Sequence, residues 1–178
     1  LGLIMLGLVA FRILWGVFGS STARFASFVK GPGTVIAYLR GIRSGDAAPI
    51  VGHNPLGALS VVLLLGLLAA QVTIGLFAQD VDGIESGPLS YLVSYESADA
   101  AREIHGLVFN LITGVVILHV AAILFYLFVK KDNLVRPMVT GSREMAASVA
   151  APIIAPLWRV IVCAALAAGL AYWVSIGC

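Results

Sequence analysis

The sequence predicts an all-α integral membrane helical bundle, and three observations carry that expectation: overall apolarity, four long apolar segments, and an alternation of charge between the loops. Hydrophobic residues make up 60% of the 178 positions and charged residues only 11%. A soluble domain of this length would hold roughly 45–50% apolar and 25% charged residues. Mean hydropathy is +1.02, more apolar surface than an aqueous core of this size can bury, so a bilayer is its natural solvent. The formal net charge of +2 is small and scattered, which gives no footing for nucleic acid. Cys163 and Cys178 form neither a CxxC nor a CxxCH pattern, so a disulfide framework, a zinc site and covalent haem attachment lack support.

The four segments run from Leu1 to about Gly19, about Leu56 to Ala78, about Ala101 to Val129, and about Pro156 to Ile176. A helix needs about 20 residues to cross the hydrocarbon core. Helices are expected because every backbone amide must be satisfied within lipid, and these segments lack the alternation of barrel strands. The first loop carries Arg24, Lys30, Arg40 and Arg43 against one acid, Asp46. The second, 79–100, carries Asp80, Asp82, Glu85, Glu96 and Asp99 without a Lys or Arg. The third carries Lys130, Lys131, Arg136 and Arg143. By the positive-inside rule the first and third loops are cytoplasmic and the second faces the opposite side.

Within the first loop, Val35, Ile36, Leu39 and Ile42 recur at helical spacing beside Arg40 and Arg43. That pattern fits a short amphipathic helix, either on the membrane surface or packed against the bundle. The Gly31-Pro32-Gly33 turn before it is not a phosphate loop.

Histidine is rare inside membrane segments, and there an ionisable group points to function. His105 and His119 lie fourteen residues apart on the third segment. At 100° per residue they fall about 40° short of four full turns, so the two imidazoles share a face, with a rise of about 21 Å between them. One iron cannot take both, because axial nitrogens at bonds of about 2 Å sit within roughly 4 Å of each other. Two haem irons stacked across the membrane fit the spacing, since imidazole is a common axial ligand. Two buried histidines hydrogen-bonded between helices, or serving a proton path, fit it as well. Phe109, Ile112 and Val116 lie between them on the same face, and Gly106 and Gly114 offer room for a neighbour. His53, in Gly52-His53-Asn54-Pro55 at the mouth of the second segment, stands at a different depth from His119. A haem-propionate contact, a quinone-site residue and a helix-entry histidine are its three readings.

The chain resembles the bacterial cytochrome b561 family, which includes the b-type subunits of nickel-iron hydrogenases. The resemblance rests on His105 and His119, on Lys131-Asp132-Asn133-Leu134-Val135-Arg136-Pro137-Met138 with Gly141, on Phe11-Arg12-Ile13-Leu14-Trp15-Gly16, on Arg24-Phe25, and on Gly52-His53-Asn54-Pro55. It implies a four-helix core with two haem b groups, in which His105 and His119 each supply one axial ligand. The other ligands in similar proteins come from the first helix and the start of the second. One more transmembrane helix is therefore expected upstream of the four in this chain, unless another polypeptide supplies those ligands. Residues 1–143 would form the cytochrome b561-like core, and 144–178 an added C-terminal transmembrane helix. The resemblance also gives Arg12 a haem propionate as partner, with snorkelling to the interface as the plain alternative.

The expected function is transmembrane electron transfer through haem b in the bacterial inner membrane, between the quinone pool and a periplasmic or membrane redox partner. His105 would serve the periplasmic haem and His119 the cytoplasmic one. The acidic second loop suits a basic periplasmic partner such as a c-type cytochrome, although an ordinary solvated loop looks the same in sequence. A first rival is the membrane anchor and quinone-reactive subunit of a hydrogenase or dehydrogenase complex. A second is a haem-free proton or metal transporter, which would want paired acids near mid-membrane where the sequence has only Asn110 and Thr113. A third is a structural membrane subunit without cofactor. No Ser/His/Asp, Cys/His or phosphate-loop motif occurs, so an electron carrier or oxidoreductase subunit is expected rather than a hydrolase or transferase.

Overall fold

Every regular element in the computed structural model is helical, and the model describes residues 1–44, 52–141 and 151–177. The side chains of 43 and 44 are outside this description, so Arg43 joins Asp46, Arg143 and Cys178 among the expectations that lie outside the described residues. Helix α1 spans Gly2–Phe18, α2 Phe25–Phe28, α3 Pro32–Ser44, α4 Pro55–Gly75, α5 Tyr95–Phe128, α6 Val135–Thr140 and α7 Leu157–Ser175. Three of them, α4, α5 and α7, are long and apolar enough to cross a membrane, and α1 is a shorter apolar helix of 17 residues. The chain is a multi-pass membrane helical bundle.

Local chemistry sets the helix ends. Asn54 caps α4 by accepting from the Gly57 N–H at 2.7 Å, and Pro55 sits in the first turn, where a missing N–H leaves no bond unmade. Ser94 caps α5 through the Ser97 N–H, and Glu96 in the first turn complements the helix dipole. That cap corrects the expected start near Ala101: the helix begins six residues earlier. Its 34 residues span about 51 Å, well beyond a core of about 30 Å, so its first turns stand in water. Glu96 and Asp99 are thus helical, and Asp99 holds Arg102 at 2.8 Å. The acidic end of the molecule is partly neutralised by an arginine just past the expected loop.

The rest of the second loop folds back on α4. Gly87 N–H donates to Ala78 O at 2.7 Å and Leu89 N–H to Leu76 O at 2.9 Å. Its tip turns at Gly83, whose φ of +67° suits a residue without Cβ.

The long helices lie in a row. Helix α5 packs on α4, α4 on α1, and α1 on α7, with α3 resting against the start of α4. The α1–α7 seam holds Val9, Cys163, Ala167 and Val174, all buried. Small residues let these backbones approach: a Cβ at Gly7 would touch Ala171 Cβ at 3.7 Å and Ala167 O at 3.9 Å.

Both ends of α7 are tied down. Ser21 N–H donates to Ile153 O, Ile153 N–H to Ser21 Oγ, and Ala155 N–H to Ser20 Oγ, each at 3.0 Å. At the other end Tyr91 O–H donates to Gly177 O. These bonds put the first and third loops at one end and the second loop with the C-terminal residues at the other, the arrangement the loop charges imply. Lys130 Nζ donating to Ile42 O at 3.2 Å joins the first and third loops again.

Helix α3 combines its two readings. Its Val35–Tyr38 side meets the bundle, where the Tyr38 and Tyr126 hydroxyls lie 3.2 Å apart. Ile36 and Leu39 point away, 50% and 47% exposed, as an interfacial helix requires. It starts at Pro32, a residue well suited to a first turn.

Candidate functional site

The two histidines of α5 both turn into the seam with α4. His105 Nδ1 lies 3.1 Å from the Gln71 carbonyl oxygen, and His119 Nδ1 lies 2.7 Å from Ser60 Oγ. The pairs 105 with 71 and 119 with 60 set an antiparallel register, so fourteen residues on α5 are matched by eleven on α4. Gly75 completes the His105 end: a Cβ there would stand 2.9 Å from His105 Cε1. The ring therefore nests on bare backbone, and any larger residue would push it away.

With Nδ1 engaged, the partner at each site sets what that nitrogen can do. A carbonyl oxygen can only accept, so His105 Nδ1 carries a proton and donates it to Gln71 O. The Ser60 hydroxyl can accept in the same way. Each imidazole is then prepared as a metal ligand through Nε2, with the other nitrogen anchored.

The surroundings of the pair differ from expectation in one respect. Ile112 is half-buried in the seam, but Phe109 is 59% and Val116 42% exposed. Gly106 and Gly114 meet no neighbour within 4 Å of a built Cβ. Gly114 lies about 180° round the helix from His105, so it cannot make room on the histidine face.

His53 and Arg12 are brought together at the end that holds the first and third loops, away from that seam. Arg12 and Gly16 are one turn apart on α1 and share the ring of Phe25, which lies directly against Gly16 where no Cβ fits. The Arg12 guanidinium sits over that ring, 5.3 Å from its centre, and donates to Ala23 O at 3.4 Å. Among the described residues no carboxylate pairs with it; the one ion pair there is Asp99–Arg102. Phe28, buried, packs its ring 4.8 Å from that of His53. Burial lowers the His53 pKa below 6.5, and the nearby Arg12 charge lowers it further, so the ring is neutral at pH 7. Its Nδ1 is buried without a hydrogen-bond partner. A cavity of about 330 Å³ opens beside it, lined among others by Thr22, Ser27, Phe28, Lys30 and Pro55.

Ser60 and Gln71 are the α4 partners of the two histidines, and sequence reasoning missed them. For Ser60 a signal existed, since it is the first polar side chain of α4 after its cap and polar groups in lipid need partners; Gln71 contributes its main-chain carbonyl, which any residue there would offer. What was lacking was the register that assigns each to a histidine. Thr113 spends its hydroxyl on Phe109 O at 2.9 Å and Asn110 is exposed, so neither builds a polar path between the histidines. Among the described residues no group of three or more His, Cys, Asp or Glu side chains is placed to hold a metal ion.

Comparison with known proteins identifies the frame for these residues. A search of curated proteins and a search of solved structures each found no match. The family model described as prokaryotic cytochrome b561 matches residues 1–141, most of the chain and all of the α4–α5 seam. The helical membrane bundle and that match together mean that the chain belongs to the prokaryotic cytochrome b561 family, whose members carry electrons across the membrane through haem b.

Proposed function

We propose that this protein exchanges electrons between the quinone pool and a periplasmic redox partner in the bacterial inner membrane, with His105 and His119 each as an axial ligand of one of two haem b groups. The observation that carries the reading is the α4–α5 seam. Two imidazoles stand about 21 Å apart along one helix, and each is anchored through Nδ1 by α4. Haem b, when bound, supplies reversible one-electron chemistry at iron, which this chain's own side chains cannot do.

The donor set fits that group in three ways. Each site offers one imidazole engaged by α4 through Nδ1, and imidazole is the usual protein ligand for haem iron. The site at His105 has Gly75 beneath the ring, so the imidazole is oriented by sterics as well as by its hydrogen bond. Arg12 is a cation inside the bundle with no described carboxylate, and a haem propionate is an anion of the right kind for it. The chain has three histidines, whereas two bis-histidine haems need four. His53 stands with Phe28 in the Arg12 corner, away from the seam, so any further ligands to the haems would come from residues other than these three histidines.

His53 then belongs to the cytoplasmic quinone exchange. It is neutral, its Nδ1 has no partner among the described residues, and it adjoins a cavity with Phe28 and Pro55 as apolar walls. A quinone ring wants such walls with a few polar groups to orient it. Residues 1–143 form the electron-carrying core in this reading, and 144–178 add α7. The end that holds His105 also carries Asp80, Asp82 and Glu85, a charge pattern that steers a basic partner such as a c-type cytochrome.

The test is a stopped-flow experiment on the purified full-length protein. Mixing oxidised protein with a quinol should raise a b-type alpha band, and His53→Phe should slow that reduction at least tenfold without changing haem content. A protein that binds haem but is reduced only by dithionite would remove the quinone reading and leave the haem reading standing.

A further inference from the structure

We propose that Ser60 is a positioning residue that sets the redox potential of the site at His119, through a hydrogen bond that the site at His105 replaces with backbone. The inference rests on the haem reading above and goes beyond it, because it assigns a role to a residue outside the ligand set and separates the two sites chemically.

Ser60 lies on the sixth residue of α4, half-buried, between Leu59 and Val61. A lone hydroxyl in an aliphatic membrane helix is retained at some cost unless it has a partner. Its partner is His119 Nδ1 at 2.7 Å, a short distance for an N–H···O bond. With Nε2 committed to iron, Nδ1 must carry the proton and donate to Ser60 Oγ. That bond does two things. It fixes the rotation of the ring about its Cβ–Cγ bond, and so the plane in which Nε2 presents its lone pair. It also draws the Nδ1 proton away from the ring and makes Nε2 a stronger donor.

A stronger imidazole donor would favour the oxidised form of a bound haem, so the hydrogen bond would hold its potential down. His105 is held differently: its acceptor is the Gln71 main-chain oxygen at 3.1 Å, which no side-chain substitution can delete. The molecule therefore contains its own control. Removing the Ser60 hydroxyl should alter one site and leave the other.

The experiment is a potentiometric titration with low-temperature EPR on haem-loaded, full-length wild type, Ser60→Ala and Ser60→Thr. Wild type should titrate as two components. In Ser60→Ala one component should move to higher potential and its low-spin g-values should shift, while the second stays in place. Haem affinity at that site should fall roughly tenfold, the lower end of what loss of such a partner does. Ser60→Thr keeps a hydroxyl at the same reach and should restore both readouts. Two unchanged components in Ser60→Ala would overturn the proposal while leaving the ligand assignment intact. Equal shifts of both components, or no rescue by Ser60→Thr, would also overturn it, since a general loosening of the bundle behaves that way. A wild type that takes up no haem would overturn the ligand assignment and this proposal together.

Discussion

The seams on either side of the α4–α1 pair are built from opposite materials. Between α1 and α7 the contact is small and apolar: Gly7 meets Ala167 and Ala171, and Cys163 and Ala167 are 2% and 3% exposed. Between α5 and α4 the contact is polar at two levels, His105 on Gln71 and His119 on Ser60, with Phe109 and Val116 left exposed at its edge. Lipid offers no hydrophobic gain for bringing helices together, so close packing of small residues makes the first seam. The second seam is joined by two interhelical hydrogen bonds, which also hold helices together in lipid, and it differs from the first in containing both histidines of α5.

The sharpest way to break this contrast is to remove the histidines. His105→Ala and His119→Ala should each lose one haem per chain by pyridine haemochrome assay, with little change in melting temperature in the haem-free state. Equal loss of both haems in either variant would mean that the two sites are not independent.

The converse change acts on the other seam. Ala167→Leu inserts bulk where almost no surface is free, and overpacking of this kind costs about 1–3 kcal/mol. Thermal unfolding in detergent should shift down while the haem spectrum keeps its wild-type shape. A changed spectrum with an unchanged melting temperature would reverse the roles given to the two seams.

Gly75→Ala sharpens the comparison within the polar seam. The new methyl would stand 2.9 Å from His105 Cε1, so the ring must shift by some tenths of an ångström. EPR should show one altered low-spin signal, that of the His105 site, and an unperturbed His119 site.

The smallest effect is expected at His53, away from both seams. Burial first and the Arg12 charge second lower its pKa below 6.5, so the unfolded chain binds the proton more readily than the folded one. Stability from this ring is complete above about pH 6.5 and is lost as pH falls through that value towards the folded pKa. Melting temperature should decline with acidification over that window, and His53→Phe, which keeps a ring against Phe28, should flatten the decline.

Much of this architecture was legible before any coordinates. Apolar length placed the three long helices and the shorter α1, and loop charge grouped the first and third loops at one end, because bilayer thickness and the positive-inside bias act on sequence directly. The fourteen-residue histidine spacing was legible for the same reason: helical periodicity is local. The partners of those histidines were not, since Ser60 is 59 residues from His119 and the pairing depends on an antiparallel register that no local pattern encodes. The early start of α5 was hidden by the acids at 96 and 99, which read as loop until Ser94 is seen capping the helix. The meeting of Arg12, Phe25, Phe28 and His53 likewise joins three separate stretches of chain.

The central claim is that the α4–α5 seam holds haem b through His105 and His119. A dithionite-reduced minus oxidised spectrum of the purified, detergent-solubilised full-length protein, with pyridine-haemochrome quantitation, tests it most directly. The account predicts a sharp b-type alpha band and about two haems per chain. A clean, folded preparation that shows no haem band after reconstitution with haem would contradict it and return the two histidines to proton or metal movement.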